Sequence, residues 1–297
     1  MNQIIKGYDM NKNDGSISKM LVRIGAINLK NVEIFSTKTR DNKKLNVYRD
    51  KLTKVIFIDN FYVGNDQYIS GQYREELNVS LEDELDSYRR YKTYLQFIAG
   101  KSIVDFGCGA GNFLRLTKKS SSASVGIEIE KGFNLKLNAE NIPCYDEIEK
   151  IPGNQDVIFL FVCLEHMENP KEILMSLKAK LKDGGKIIIE VPHAKDFLID
   201  CLSTQSFIDF TLWSQHLILH TRESLHLLLA DCGLKNIIIK GAQRFSIANH
   251  LNWIKFSQLG GHKTNLSIFE TPELTSAYDA ALSKIDANDI LTAICSN

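Results

Sequence analysis

The stretch Ser102-Ile103-Val104-Asp105-Phe106-Gly107-Cys108-Gly109-Ala110-Gly111-Asn112-Phe113 decides the fold. Ile103, Val104 and Phe106 form a short β-type apolar run, and Gly107, Gly109 and Gly111 follow at every second position. A strand that breaks into a glycine turn and feeds a helix is an arrangement that cradles nucleotides. Without a Cβ, the loop can approach a ligand closely and adopt φ > 0 where the turn needs it. Two details narrow the ligand. Asp105 lies inside the strand, and Asn112 stands where a dinucleotide fingerprint places its third glycine. A carboxylate at 105 repels a pyrophosphate and attracts an ammonium group.

The chain downstream has the alternation of an open α/β sheet. A second strand is expected at Ser124–Ile129, with Glu128 placed 23 residues after Asp105. A carboxylate there can accept from both hydroxyls of a ribose; Glu130 is the alternative, two residues further on. A third strand spans Ile142–Tyr145 and precedes Asp146. The nearly all-apolar run Asp156–Cys163 reads as a fourth strand buried on both faces. Asn169 and Pro170 then read as the N-cap and N1 of a helix closed at Gly184-Gly185, with a fifth strand at Lys186–Val191. Thr221 caps a further helix, and strands are expected at Lys235–Lys240 and Asp289–Cys295, with no clear helix between those two. Upstream, Ser80 opens a helix to about Ala99. Its core face is expected to be Leu81, Leu85, Tyr88, Tyr91 and Leu95, with Arg89 and Arg90 in solvent.

The glycine loop with Asp105, followed by Glu128 and by Phe161–Pro170, resembles the class I S-adenosyl-L-methionine (SAM) methyltransferases. The similarity covers about Ser80 to Lys240. It implies a Rossmann-like doubly wound α/β sheet of order 3-2-1-4-5-7-6, with SAM as cofactor. It also implies a cofactor site of Asp105, Gly107, Cys108, Gly109, Gly111, Asn112, Phe113, Glu128, Ile129, Asp146, Phe161 and Val162. In this resemblance Asp105 and the loop hold the methionine end, and Asp146 takes the adenine amino group. The segment after the fourth strand is similar to that of small-molecule O-methyltransferases and sugar methyltransferases of surface-polysaccharide biosynthesis. That likeness implies a sugar or nucleotide-sugar hydroxyl as acceptor. A quinone or other aromatic acceptor is the second reading, and a non-catalytic SAM-binding protein the third.

Composition bounds the rest. The chain has 297 residues, 44% of them hydrophobic, and Lys plus Arg equals Asp plus Glu at 36 each. No global charge pulls it toward nucleic acid, and no apolar run approaches the ~20 residues of a membrane span. The six cysteines are scattered without a C-x-x-C pair, so no metal site or disulfide framework is expected, and a cytoplasmic setting fits. Homodimerisation is compatible with this composition. Residues 1–78 read as a small β-rich module and cap loop, with short runs at Leu21–Ile24, Val32–Phe35, Leu45–Tyr48 and Val55–Ile58. Phe61–Tyr73 serves either surface packing or a flap over the substrate. Residues 79–297 read as the transferase domain, with an acceptor-side insertion at about 241–284.

Methyl transfer to a hydroxyl requires alignment of the acceptor and removal of a proton, a task that suits histidine. His166, after the fourth strand, and His216, in Trp213-Ser214-Gln215-His216, are the candidate bases. The latter segment resembles the histidine-bearing segment of sugar C-methyltransferases, although Gln215 replaces the acidic neighbour found there. His193, Arg244, Asn249, His250 and Trp253 are the candidate acceptor-binding residues. His220 and His226 are read as structural.

Overall fold

A computed structural model of the chain describes residues 17–71 and 81–297. Its organising element is a mixed sheet of seven strands. In chain order these are β4 (Ser102–Phe106), β5 (Ala123–Ile127), β6 (Cys144–Tyr145), β7 (Gln155–Phe161), β8 (Leu181–Pro192), β10 (Lys235–Ala242) and β11 (Ile290–Ser296). Across the sheet they lie β6-β5-β4-β7-β8-β11-β10. Numbered within this sheet, that is the expected order 3-2-1-4-5-7-6. The pairs β6–β5, β5–β4, β4–β7 and β7–β8 are parallel, whereas β11 runs antiparallel to both β8 and β10. The carboxyl end of β10 therefore reaches the same edge as those of the parallel strands.

Burial explains why the central strands are uninterrupted apolar runs. Ile158, Phe159 and Leu160 of β7 and Ile187, Ile188 and Ile189 of β8 have no exposed surface. Each such side chain contributes roughly 1.5–3 kcal/mol, so the loops at these strand ends spring from the most stable part of the molecule. One face of the sheet is covered by helices that bury Leu174, Leu177, Leu225 and Leu228. The other meets α3 (Leu81–Ile98), whose Tyr94 and Ile98 pack with Phe113, Phe159 and Phe161.

The face that α3 buries differs from expectation. Leu85 and Tyr88 are more than half exposed, while Ser87, Tyr94 and Ile98 are buried. Arg89 and Arg90 are not solvated. Both donate to Glu190 of β8, and Asp86 also accepts from Arg89. The buried Glu190 carboxylate selects which helix face turns inward, and apolar periodicity does not show this. The expected cap Ser80 lies outside the described residues.

A second, four-stranded antiparallel sheet has the order β1 (Val32–Ser36), β2 (Val47–Asp50), β3 (Ile56–Ile58), β9 (Ile218–Leu219). Leu21–Ile24 was expected as β, but Ile17–Arg23 forms the helix α1, which buries Ile17 and Leu21. The fourth strand, β9, comes from outside the stretch 1–78 and pairs with β3. The sheet shares its core with Ala194, Leu198, Phe207, Ile208 and Trp253. The stretch between β10 and β11, expected to lack clear helices, holds α9 (Ile247–Phe256) and α10 (Pro272–Lys284).

Candidate active site

The loop after β4 turns through three left-handed glycines, Gly107 (φ 72°), Gly109 (φ 52°) and Gly111 (φ 78°). Amides of Gly107 and Cys108 both donate to the Ile127 carbonyl, which ties the loop to β5. A Cβ at Gly111 would overlap Leu137 Cδ2, so this glycine is required on two counts. Glu128, at the end of β5, closes the turn: Gly109 N–H donates to its Oε2 at 2.8 Å and Glu130 N–H to its Oε1 at 2.9 Å. A carboxylate offers about four lone-pair sites, so capacity for further donors remains on both oxygens.

Two cavities meet at this loop. The smaller, about 170 Å³, is lined by Asp105, Gly107 to Phe113, Phe133, Phe161, Asp83, Ser87 and Arg90. The larger, about 1130 Å³, extends past Glu128, Ile129, Asp146, Val162 and Cys163 to Tyr62, Tyr68, His166, Trp213 and Gln215. Gly107 and Asp83 line both, so the two cavities adjoin in a cleft along the carboxyl edge of the parallel strands, where ligands of open α/β sheets bind.

Asp105 is buried at the inner end. Burial pushes its carboxyl up to about 7, with Arg90 pulling it down and Glu128 pushing it up. A ligand cation placed there would favour the charged form. Arg90 is held by Asp86, by Glu190 and by the Phe161 ring, 4.7 Å from its guanidinium carbon. Asp146 is an exposed acid on the cleft rim, paired with Lys150 at 2.6 Å, which holds its carboxyl below the usual range. Val162 has φ 52°, a left-handed conformation that costs a β-branched residue about 1–3 kcal/mol. Its amide donates to the Glu190 carbonyl at 2.8 Å. The chain is thus forced to turn sharply out of β7 where it borders the cleft, and nothing in the residue type announces this.

His166 stands at the outer part of the cleft. Its Nδ1 lies 2.9 Å from the Gln215 carbonyl. A carbonyl can only accept, so the proton sits on Nδ1 and Nε2 is the basic nitrogen. His216 repeats the arrangement, with Nδ1 2.9 Å from the Thr211 carbonyl. Burial first, and then His166, lower its imidazole to about 3, so it stays neutral. The two ring centroids are 5.1 Å apart, and Trp213 contacts both edge-on. Beside them Glu165 is fully buried, with neither carboxylate oxygen hydrogen-bonded. Burial raises its carboxyl to about 8, against its own backbone amide and the attraction of Arg244 and Arg90.

Several expected acceptor residues lie elsewhere. Asn249, His250 and Trp253 sit on α9 with their side chains turned inward. Asn249 Oδ1 accepts from the amides of Gly260 and Gly261, His250 bonds Tyr278 and stacks on Phe197, and Trp253 packs against Phe207 and Phe210. The polar and aromatic residues of this segment fasten α9 to its neighbours. His193 is buried, its Nδ1 on the Asn288 carbonyl, with burial lowering it to about 4. Arg244 comes off β10 at the right edge, but its amide donates to Asp289 and its side chain covers Phe245. It is not among the cleft-lining residues and reaches the site through its charge on Glu165. The aromatic lining comes instead from Tyr62 and Tyr68, in the segment read as a possible flap, and from Trp213.

Residues 73–238 match the family described as methyltransferase domain. The chain therefore belongs to this family, in the class I seven-stranded form whose methyl donor is SAM. Among curated relatives, a tRNA U34 carboxymethyltransferase of Hydrogenovibrio crunogenus is 24% identical over 190 residues, 57% of this chain and 56% of that protein. A ubiquinone biosynthesis O-methyltransferase of Ralstonia nicotianae is 24% identical over 121 residues, 36% of this chain and 51% of that protein. The chain thus spans about half the length of these relatives. Among solved structures, a SAM-dependent methyltransferase from Archaeoglobus fulgidus superposes with a TM-score of 0.50 at 19% identity. That superposition covers 72% of this chain and 94% of the other and speaks to the fold alone.

Proposed function

We propose that this chain transfers a methyl group from SAM to a hydroxyl of a small ring-shaped acceptor held between Tyr62, Tyr68 and Trp213. The observation that carries this reading is that the two cavities adjoin at the glycine loop. Together they run from the buried acid Asp105 past the glycine loop and Glu128 to a histidine among aromatic walls. The residues suit the cofactor's chemistry. Asp105 would take the ammonium of the methionine end, the loop would approach it closely, and Glu128 would accept from the ribose hydroxyls. Asp146 stands at the rim for the adenine amino group. When bound, SAM supplies a methyl group already activated by the sulfonium charge.

What remains for the chain is positioning and a proton. Well-oriented reactants can gain several orders of magnitude in rate from alignment alone, and the stacked Tyr62–Tyr68 pair with Trp213 would provide that alignment. The acceptor's proton would leave at the cluster of Glu165, His166 and His216, of which His166 borders the cleft. Aromatic walls favour a flat hydroxyaromatic acceptor, in keeping with the ubiquinone-pathway relative. A sugar hydroxyl is the second reading, favoured by the amide side chains of Asn65 and Gln215 among the cleft residues. The net charge of zero gives no electrostatic footprint for a polyanion such as tRNA.

Incubation with SAM against panels of catechols, hydroquinones and nucleotide-sugars, read by mass spectrometry for gain of one methyl group, tests the proposal. Methylation of the phenolic panel supports the first reading and methylation of the sugars the second. SAM binding without turnover of either panel would count against both.

A further inference from the structure

We propose that Glu165, His166 and His216 bind one divalent transition-metal ion beside the acceptor end of the cleft. One ligand-capable atom of each residue lies within 4.8 Å of those of the other two. Ligands about 2.1 Å from a shared ion in tetrahedral geometry sit about 3.4 Å apart. About an ångström of side-chain closure would therefore complete the site.

Three further features point to a cation. Glu165 has no exposed surface and both its carboxylate oxygens lack a hydrogen bond. His166 Nε2 lies 3.9 Å from Glu165 Oε1, too far for a hydrogen bond. A buried carboxyl so weakly partnered is costly, commonly by several kcal/mol when charged, and a bound cation would resolve that cost. Both imidazoles rest Nδ1 on a backbone carbonyl, at 2.9 Å in each case. This support fixes ring orientation and leaves Nε2 as the electron-pair donor, the arrangement that backs metal-ligating histidines. Finally, two imidazoles with one carboxylate suit zinc, manganese, iron or cobalt better than magnesium or calcium, which prefer oxygen ligands.

The site's role rests on the reading of the cleft as a methyl-transfer site. Three protein ligands leave a coordination position open, and His166 borders the cleft where the acceptor would lie. A hydroxyl bound to the ion would lose its proton to solvent more readily. The resulting oxyanion would form the new O–C bond as the C–S bond of the donor breaks and its electron pair stays on sulfur. In the loaded protein His166 is then a ligand, and the ion carries the acid–base burden.

The test is titration of the metal-stripped full chain with cobalt(II), followed by visible absorption and by quenching of Trp213. The Trp213 ring lies 5.6 Å from that of His166 and 5.5 Å from that of His216. The expected result is one cobalt per chain, with Glu165→Gln and His216→Ala each weakening binding at least about tenfold. Trp213→Phe should reduce the quench and retain the absorption band. Glu165→Gln is nearly isosteric, so it keeps the test valid if His216→Ala does not fold. Failure of the native chain to bind cobalt, or binding unchanged in Glu165→Gln, would overturn the site. SAM calorimetry on the same samples separates the two readings. Absence of SAM binding would sink the methyl-transfer reading and leave the metal titration standing.

Discussion

Arg90 donates through Nε to Glu190 Oε2 at 2.9 Å and thereby fixes α3 to the end of β8, where Arg90 lines the same cavity as Asp105. Arg89 and the Tyr94 hydroxyl complete the set of donors on the same carboxylate. Burial alone would raise the Glu190 carboxyl. Arg90 and Arg89 overcome it and hold it at about 2. Its folded value is depressed below the ordinary ~4.3 of glutamate, so its contribution is present above that value and is lost as pH falls toward 2. Stability should therefore drop between about pH 5 and pH 2. Glu190→Gln should lower the unfolding free energy read by urea at pH 7, by about 3–5 kcal/mol with the arginines left unpaired, and flatten the acid limb.

Asp105 gives a second pH signature, this time in binding. Its carboxyl is raised to about 7 by burial, and only the charged form attracts an ammonium. SAM affinity should rise with pH from about 6 to about 7.5, and fall above that as the amino group of the ligand, with its ordinary value of about 7.7–8.0, loses its own proton. A charge-assisted hydrogen bond contributes about 1.5–3 kcal/mol, so Asp105→Asn should weaken binding by about ten- to a hundred-fold and remove the rise. Calorimetry across that range checks both. An Asp105→Asn profile parallel to the native one would place the ammonium elsewhere.

Gly111→Ala tests the loop itself. The position combines φ 78° with an overlap between the new Cβ and Leu137. A loss of about 1–3 kcal/mol in stability is expected, together with weaker SAM binding. Thermal unfolding with and without SAM reads both effects. A stable variant with native affinity would show that the loop relaxes freely.

Tyr68→Ala separates the two ends of the cleft. Tyr68 stacks with Tyr62 at 6.3 Å and lies edge-on to His166 at 6.4 Å. An aromatic contact of about 0.5–1.5 kcal/mol corresponds to a rise in acceptor KM of about two- to twelve-fold, with SAM affinity unchanged. Equal loss of both would mean that Tyr68 supports the whole cleft rather than the acceptor.

The strands of the large sheet were legible because apolar runs and turn residues mark them, whereas their order across the sheet came from the resemblance to the SAM methyltransferases. The candidate cofactor residues could be picked out because, in an open sheet, position along a strand sets which edge a residue reaches. The acceptor side was harder to read. Asn249, His250 and Trp253 carry the residue types of a binding site, yet they fasten α9, because a buried helix with polar residues needs the same donors and acceptors as a ligand does. Tyr62, Tyr68 and Trp213 converge only through long-range packing, in which Tyr68 and Trp213 each meet the His166 ring edge-on, and that has no local signal. Arg89 and Arg90 looked solvent-facing because their partner, Glu190, is a hundred residues away, in a stretch, Ile187–Val191, that is apolar apart from that one position.

Equilibrium binding of SAM to the native chain at about pH 7.5, between the values of the Asp105 carboxyl and of the ligand's amino group, is the decisive measurement. One molecule should bind per chain, with affinity reduced by Asp105→Asn and by Glu128→Gln. Absence of binding, or binding indifferent to both substitutions, would contradict a SAM site at the glycine loop.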